Sequence, residues 1–247
     1  MDNSVNDRNV EKLIKGLESF HLATDDEKIN RFLLYYNVLI EWNSFMNLTT
    51  ITDFEEVVLK HFIDSISLIK AIPDLSEKNY KLIDIGTGAG FPGIPLKIIF
   101  PNLEVTLLDS LNKRINFLNE VINRLELKNI EAVHGRAEDY AKPDKLREKY
   151  DICVSRAVAN MAVLSEYCIP FVKQGGYFAA YKSDKAADEF EGAVNAIDML
   201  GGKYEKQVEF YLPSSDIYRN IILIRKNSKT SLKYPRKAGI PGKEPLI

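Results

Sequence analysis

The sequence predicts an α/β fold: a mostly parallel seven-stranded sheet flanked by helices, with an antiparallel last strand and a helical segment in front. Three observations carry this expectation. From residue 80 onward, short apolar runs alternate with amphipathic stretches of helical period, the order that builds parallel sheets. The first run ends in a turn with four glycines, Asp84-Ile85-Gly86-Thr87-Gly88-Ala89-Gly90-Phe91-Pro92-Gly93. Residues before about 78 show helical rather than two-residue periodicity.

In chain order, a short helix is expected near Val10 to Phe20. A second follows the capping box of Thr24 and Glu27, whose side chains suit the unpaired backbone N–H groups of a helix start; Ile29, Phe32, Leu33, Tyr36, Leu39 and Ile40 then share one face. Asp53 with Glu56 repeats the device ahead of Val57, Val58, Phe62, Ile66 and Ile69. Between them, Asn43-Ser44-Phe45-Met46-Asn47-Leu48-Thr49-Thr50 is a polar connection and a candidate functional loop. Strands are expected near 81–85, 104–109, 130–134, 150–155, 175–181, 204–211 and 219–226. Helices are expected near 93–99, 112–125, 160–170 and 184–199. Pro95 fits a first helical turn, where its missing N–H is not needed. Phe117, Leu118, Val121, Ile122 and Leu125 form one stripe, with Lys113, Arg114, Asn119, Glu120 and Arg124 outside it. Gly201-Gly202 breaks the chain before two long strands, which suits an antiparallel hairpin added to a parallel sheet. The chain divides into a helical cap over 1–78, a sheet domain over 79–226 and a tail over 227–247.

With 247 residues, 45% of them hydrophobic, the chain has ample material for a core. Two cysteines, Cys153 and Cys168, no signal-like start and no apolar run long enough to span a bilayer predict a reducing, cytoplasmic compartment. A formal charge of −2 argues against a generally basic coat. The charge is uneven, however: between Arg225 and Ile247 seven basic residues face one acid, Glu244. Only three histidines exist, His21, His61 and His134, and they lack ligand spacing, so no metal is expected.

Strand, glycine turn and helix bring backbone amides up to a ligand, and Asp109 closes the next strand where a carboxylate accepts hydrogen bonds from ribose hydroxyls. The dinucleotide pattern G-x-G-x-x-G begun at Gly86 requires glycine at 91, where Phe91 stands. A pyrophosphate ligand is disfavoured. The pattern D-x-G-x-G-x-G with an acid on the second strand resembles the cofactor motif of the class I S-adenosylmethionine-dependent methyltransferases, whose Rossmann-like fold it implies. The contrary reading is a glycine turn without a ligand.

Gly135-Arg136-Ala137-Glu138-Asp139, Ser155-Arg156-Ala157 and Tyr181-Lys182-Ser183 follow the third, fourth and fifth strands and are expected at the same sheet edge. Ala137 and Glu138 suit an adenine edge; Arg156 and Lys182 suit an anionic substrate. The bland alternative is that Glu138 and Arg156 are only exposed loop charges. His61, Asp64 and Ser65 share a helical face, to support the glycine loop or to meet RNA. Both cysteines read as core residues.

Asn47-Leu48-Thr49, His61-x-x-Asp64-Ser65, the glycine turn through Phe91-Pro92-Gly93-x-Pro95-Leu96, Asp109-Ser110-x-x-Lys113-Arg114, Gly135-Arg136-Ala137-Glu138, Ser155-Arg156-Ala157 and Tyr234-Pro235-Arg236-Lys237-x-Gly239-x-Pro241 together resemble the small-subunit ribosomal RNA methyltransferase G family, also called glucose-inhibited division protein B. The resemblance spans nearly the whole chain. It implies methylation of N7 of one guanine in the 530 loop of 16S rRNA, in the small subunit or an assembly intermediate, with S-adenosylmethionine as cofactor. Asp84, Gly86, Gly88, Gly90, Phe91, Asp109, Ala137, Glu138 and Arg156 are then expected around the cofactor, with Asn47, His61, Asp64 and Ser65 behind them. Arg156 and Lys182 would position substrate, and Arg136, Lys182, Lys233, Arg236 and Lys237 would hold RNA phosphates. N7 offers an in-plane lone pair and no proton, so no catalytic base is named. In an A-form helix N7 lies in a groove too narrow for side chains, so the guanine must sit in a loop or be flipped, with Phe91 a candidate platform. The alternatives are a methyltransferase for another RNA or a small molecule, and a non-catalytic RNA-binding assembly factor that keeps the pocket.

Overall fold

A computed structural model of the chain describes residues 3–156, 159–183 and 186–246, with the side chains of 3–9 and 186–188 left aside. The helical segment comprises α1 (Asn3–Glu18), α2 (Asp26–Met46) and α3 (Phe54–Val57), which runs through a π-helical stretch, Val58–Ile63, into α4 (Asp64–Ile66). The α2 cap differs from the expected one by a residue. Asp25, not Thr24, accepts the Lys28 N–H at 2.8 Å. The α2 face also rotates: Ile29, Phe32, Tyr35, Val38 and Leu39 are buried, while Tyr36 lies at the edge and donates to the Thr52 carbonyl. At Asp53 the expected cap is present, its Oδ1 accepting the Glu56 N–H at 3.0 Å.

Seven strands follow: β1 (Lys81–Ile85), β2 (Glu104–Asp109), β3 (Ile130–His134), β4 (Tyr150–Arg156), β5 (Val172–Lys182), β6 (Gly202–Tyr211) and β7 (Tyr218–Lys226). Their spatial order is β3-β2-β1-β4-β5-β7-β6, and β7 alone runs against its neighbours. The terminal strands do form the expected hairpin, with β7 inserted between β5 and β6. β5 begins three residues before the expected 175, because a register shift beside Gln174-Gly175-Gly176 interrupts the apolar pattern from which strands are read. The helices are α5 (Gly93–Ile99), α6 (Asn112–Arg124), α7 (Ala137–Tyr140), α8 (Met161–Cys168), α9 (Ala186–Glu191), α10 (Val194–Met199) and a short α11 (Ile240–Lys243) in the tail. The helix expected over 184–199 is therefore two, and α7 and α11, one turn each, are too short for periodicity to reveal.

Strand alternation divides the core in two. Leu82, Val105, Leu107, Val154 and Leu223 point to one face, where α5, α6 and the helical segment pack, including Phe32, Tyr35 and Phe62. Ile83, Ile85, Leu108, Cys153, Phe178 and Ile224 point to the other, with α8 and α10. Both cysteines are buried and free. No helix among the described residues is long and apolar enough to cross a membrane. Strand order reverses at β1, which pairs with both β2 and β4, and that switch point is where open α/β sheets bind ligands.

Candidate active site

The glycine turn leaves β1 with Gly86, Gly88 and Gly90 at φ of 69°, 61° and 93°, a left-handed backbone that side chains strain. Hydrogen bonds hold it from below. Gly86 N–H and Thr87 N–H donate to the Leu108 carbonyl, Thr87 Oγ1 and Gly93 N–H donate to Asp84 Oδ2 at 2.7 and 2.9 Å, and Tyr35 Oη donates to the Ala89 carbonyl. Asp84 is fully buried beneath the turn and does not line the cleft: the expected cofactor contact is a structural fastening. The reason is its place in β1, where strand alternation turns the side chain into the sheet face. Gly90 is likewise a packing position, since a Cβ there would lie 2.5 Å from Ile94 Cδ1 and 2.8 Å from Tyr35 Oη. Gly88 differs. A Cβ added to it would meet only the Gly86 carbonyl, at 4.0 Å, so the turn is open there.

Above the turn lies a cleft of about 690 Å³. One wall is Gly86, Gly88 and Asp109; another is Gly135, Arg136, Ala137 and Glu138; His61, Phe91 and Arg156 close the third side. Asp109 ends β2 with Oδ2 accepting Gly88 N–H at 2.9 Å and Oδ1 accepting Leu111 N–H at 2.9 Å, and Arg114 Nη1 stands 3.1 Å from Oδ2. A carboxylate that lines the cleft at the end of β2, beside an open glycine, fits a nucleoside with a ribose to hold. We expect Asp109→Ala to weaken S-adenosylhomocysteine binding by about 1.5–3 kcal/mol, the scale of hydrogen bonds to a charged group. Calorimetry checks this, and parental affinity would remove Asp109 from the binding surface.

His61 sits in the π-helical stretch, a distortion that recurs at functional sites. Its ring stacks on Phe91 with centroids 4.5 Å apart, and the Arg156 guanidinium lies 5.2 Å from the same ring. Phe91 is thus buried under His61 and Arg156, which removes it as an open platform for a base. His61 Nδ1 lies 3.3 Å from Arg156 Nη2 and Nε2 lies 3.0 Å from Thr49 Oγ1. Nδ1 also lies 3.2 Å from the Lys60 carbonyl, so it faces one donor and one acceptor, and both ring nitrogens are engaged by the protein in either tautomer. Asp64 Oδ2 receives Arg156 at 2.9 Å and Oδ1 receives Arg219 at 2.9 Å, so one buried carboxylate joins β4 and β7 to the helical segment. Ser65 is buried beside it, its carbonyl accepting the Tyr181 hydroxyl at 2.6 Å. Asp64 and Ser65 therefore support the site from inside. Asn47 is the left-handed residue that ends α2 and is not among the cleft residues, while Leu48 and Thr49 after it are. Lys182 is bound to Glu189 and the Ala159 carbonyl at 2.5 and 2.9 Å rather than offered to a substrate. Ala157 lies outside the described residues.

Buried Asp84 and half-buried His61 link stability to pH with opposite signs. Burial lifts Asp84 from 3.8 to about 6 against the pull of Thr87 and Gly93, so its contribution is complete below 3.8 and lost as pH rises through about 6. Burial, then the Arg156 charge, lower His61 from 6.5 to about 3, so its contribution is complete above 6.5 and lost as pH falls through about 3. The Asp84→Asn variant keeps an acceptor for Thr87 and Gly93 and loses the first effect. Its stability, read from urea unfolding, is expected to rise more steeply than the parent's between 3.8 and about 6; equal slopes would contradict the assignment.

A family model described as rRNA small subunit methyltransferase G matches residues 28–218. That span exceeds half of the chain. The chain belongs to the rRNA small subunit methyltransferase G family. It is 57% identical over 234 residues to the Ribosomal RNA small subunit methyltransferase G of Lachnoclostridium phytofermentans, covering 95% of this chain and 96% of that one. Identity to the protein of the same name from Acetivibrio thermocellus is also 57% over 234 residues, with 95% of each chain covered. Among solved structures, M. jannaschii TYW2 in complex with AdoMet aligns with a TM-score of 0.50 at 17% identity, over 65% of this chain and 74% of that one, which speaks for the fold alone. The family's cofactor is S-adenosylmethionine, and the residues of the cleft fit its nucleoside.

In this methyltransferase G chain the tail departs most from expectation. Arg236 is not free for phosphate: it forms a two-pronged ion pair with the buried carboxylate of Glu166, at 3.0 and 2.6 Å. Lys233 and Lys237 remain exposed, as does Arg136 at the cleft. Sequence reasoning missed Tyr35, Tyr167 and Arg219. The first two carry only helix-face signals, and Arg219 opens a strand far from the motifs, so nothing local marked them.

Proposed function

We propose that the protein transfers the methyl group of S-adenosylmethionine to N7 of one guanine in the 530 loop of 16S rRNA. The observation that carries this reading is the pairing of an open Gly88 with Asp109 at the switch point, inside a chain of this family. When bound, the cofactor supplies a methyl group on a sulfonium, ready for direct displacement. The chain's residues then bind and align. Gly88 leaves room beside the backbone, Asp109 is the acceptor for ribose hydroxyls, and Ala137 and Glu138 flank the base.

The proton inventory favours a nucleophile that has no proton to lose. His61 is held neutral, with Nδ1 between Arg156 and the Lys60 carbonyl and Nε2 on Thr49, so both ring nitrogens are already engaged by the protein. Guanine N7 needs none, and its reaction depends on alignment. Arg136, Lys233 and Lys237 are the exposed cations best suited to rRNA phosphates, and the target guanine reaches the cleft unstacked. The work belongs in the cytoplasm, on the small subunit or its assembly intermediate.

The test supplies purified protein with labelled cofactor and small subunits lacking the modification, followed by mass mapping of nuclease fragments. One methyl on one 530-loop guanine, with the backbone made labile by reduction of the methylated base, is the expected result. Methylation of another RNA would redirect the reading. Tight RNA and cofactor binding with no transfer would replace it by a non-catalytic assembly role.

A further inference from the structure

The tail docks onto the sheet domain through a set of internal contacts. Arg147, itself buried, donates to the carbonyls of Thr230, Ser231 and Tyr234 at 2.5, 3.1 and 2.7 Å, and Glu148 accepts the Thr230 N–H at 2.9 Å. Buried Lys226 donates to Thr230 Oγ1. Tyr234 and Leu246 enter the same core cluster as α8, and Arg236 closes on Glu166. The outcome reaches the cleft. Gly239 lines it, and its N–H donates to Glu138 Oε1 at 3.1 Å; Tyr167, next to Glu166 on α8, touches both the cleft and the position of Gly242.

We propose that residues 227–246 form the outer wall of the cofactor site, with Arg236 and Glu166 as positioning residues, and that tail docking and cofactor binding stabilise each other. This rests on the reading of the cleft as the S-adenosylmethionine site. Gly239 N–H occupies one oxygen of Glu138 and orients the carboxylate, while the other oxygen has no protein partner among the described residues and suits an amino group on a base. A ligand that binds against Glu138 therefore favours the docked tail, and by linkage a docked tail favours the ligand by the same factor.

Parent and full-length Arg236→Met, Arg236→Lys and Glu166→Gln/Arg236→Met proteins are titrated with S-adenosylhomocysteine, and amide exchange is followed with and without it. Arg236→Met is expected to weaken binding about 5- to 20-fold, within the usual range of coupling between sites. Arg236→Lys restores part of the loss. The double variant leaves no lone carboxylate buried, which keeps the test open if the single variant folds poorly, and it should match Arg236→Met. In the parent, saturating ligand slows exchange across 230–246; with saturating cofactor, kcat on small-subunit RNA stays at the parent value, so the loss appears in the cofactor KM. Parental affinity in the double variant, with freely exchanging tail amides, overturns the proposal. Weakened RNA binding with a flatter salt dependence and unchanged cofactor affinity also overturns it, in favour of an RNA-binding arm. A parent that binds no sulfur nucleoside defeats the cofactor reading itself.

Discussion

Asp64→Ala is expected to lower stability by about 3 kcal/mol and to abolish methyl transfer. The figure is the lower end of the range for removing one partner from a buried ion pair, because Arg156 and Arg219 keep some contact with solvent. Asp64 is 3% exposed and receives both guanidiniums at 2.9 Å, so its loss leaves two cations facing each other at the joint of β4, β7 and the helical segment. Repulsion would move Arg156 away from His61 and Phe91, and the third wall of the cleft would open. Urea unfolding measures the stability loss, and a double-mutant cycle with Arg219 measures how much of it is this one pairing. An unchanged midpoint would mean that packing alone seats the helical segment.

Gly88→Val is expected to reduce cofactor affinity roughly 100-fold, about 2.7 kcal/mol, the scale of strain at a disfavoured backbone position. Two causes add. A β-branched residue at a φ of 61° strains the turn by about 1–3 kcal/mol, and relief of that strain pulls Gly88 N–H from Asp109. The side chain also fills space that the ligand needs. Since its Cβ has no close neighbour in the protein, most of the fold survives. Gly90→Val behaves oppositely: its Cβ would meet Ile94 and Tyr35, so unfolding precedes any effect on affinity. Calorimetry and thermal melts on the two variants separate these outcomes. Equal stability losses, or parental affinity in Gly88→Val, would contradict the division of labour within the turn.

The strands, the glycine turn and the acid at the end of β2 were legible because each is a local property. Alternation of apolar residues reports a half-buried strand, and glycine relieves the three left-handed positions 86, 88 and 90. The rotated face of α2 was less legible, since Tyr35 and Tyr36 are equally plausible as inward residues and only the position of the Ala89 carbonyl chooses the first. The π-helical stretch at His61 leaves no distinctive spacing in five or six residues.

Charged residues show the limit most clearly. Their types and approximate neighbourhoods could be read, but whether a cation serves a ligand or the protein depends on which carboxylate folds up against it. Lys182 meets Glu189, Arg236 meets Glu166 across 70 residues, and Arg156 meets Asp64 across 92. By itself the sequence determined the α/β architecture, the cofactor turn and the family motifs. The tertiary structure decided that Asp84 fastens the turn, that Asp64 gathers two arginines and that Arg236 in the basic tail docks on the buried Glu166. The physical reason is that periodicity and backbone constraint act between near neighbours, whereas an ion pair is chosen by burial and distance, which exist only once the chain has folded.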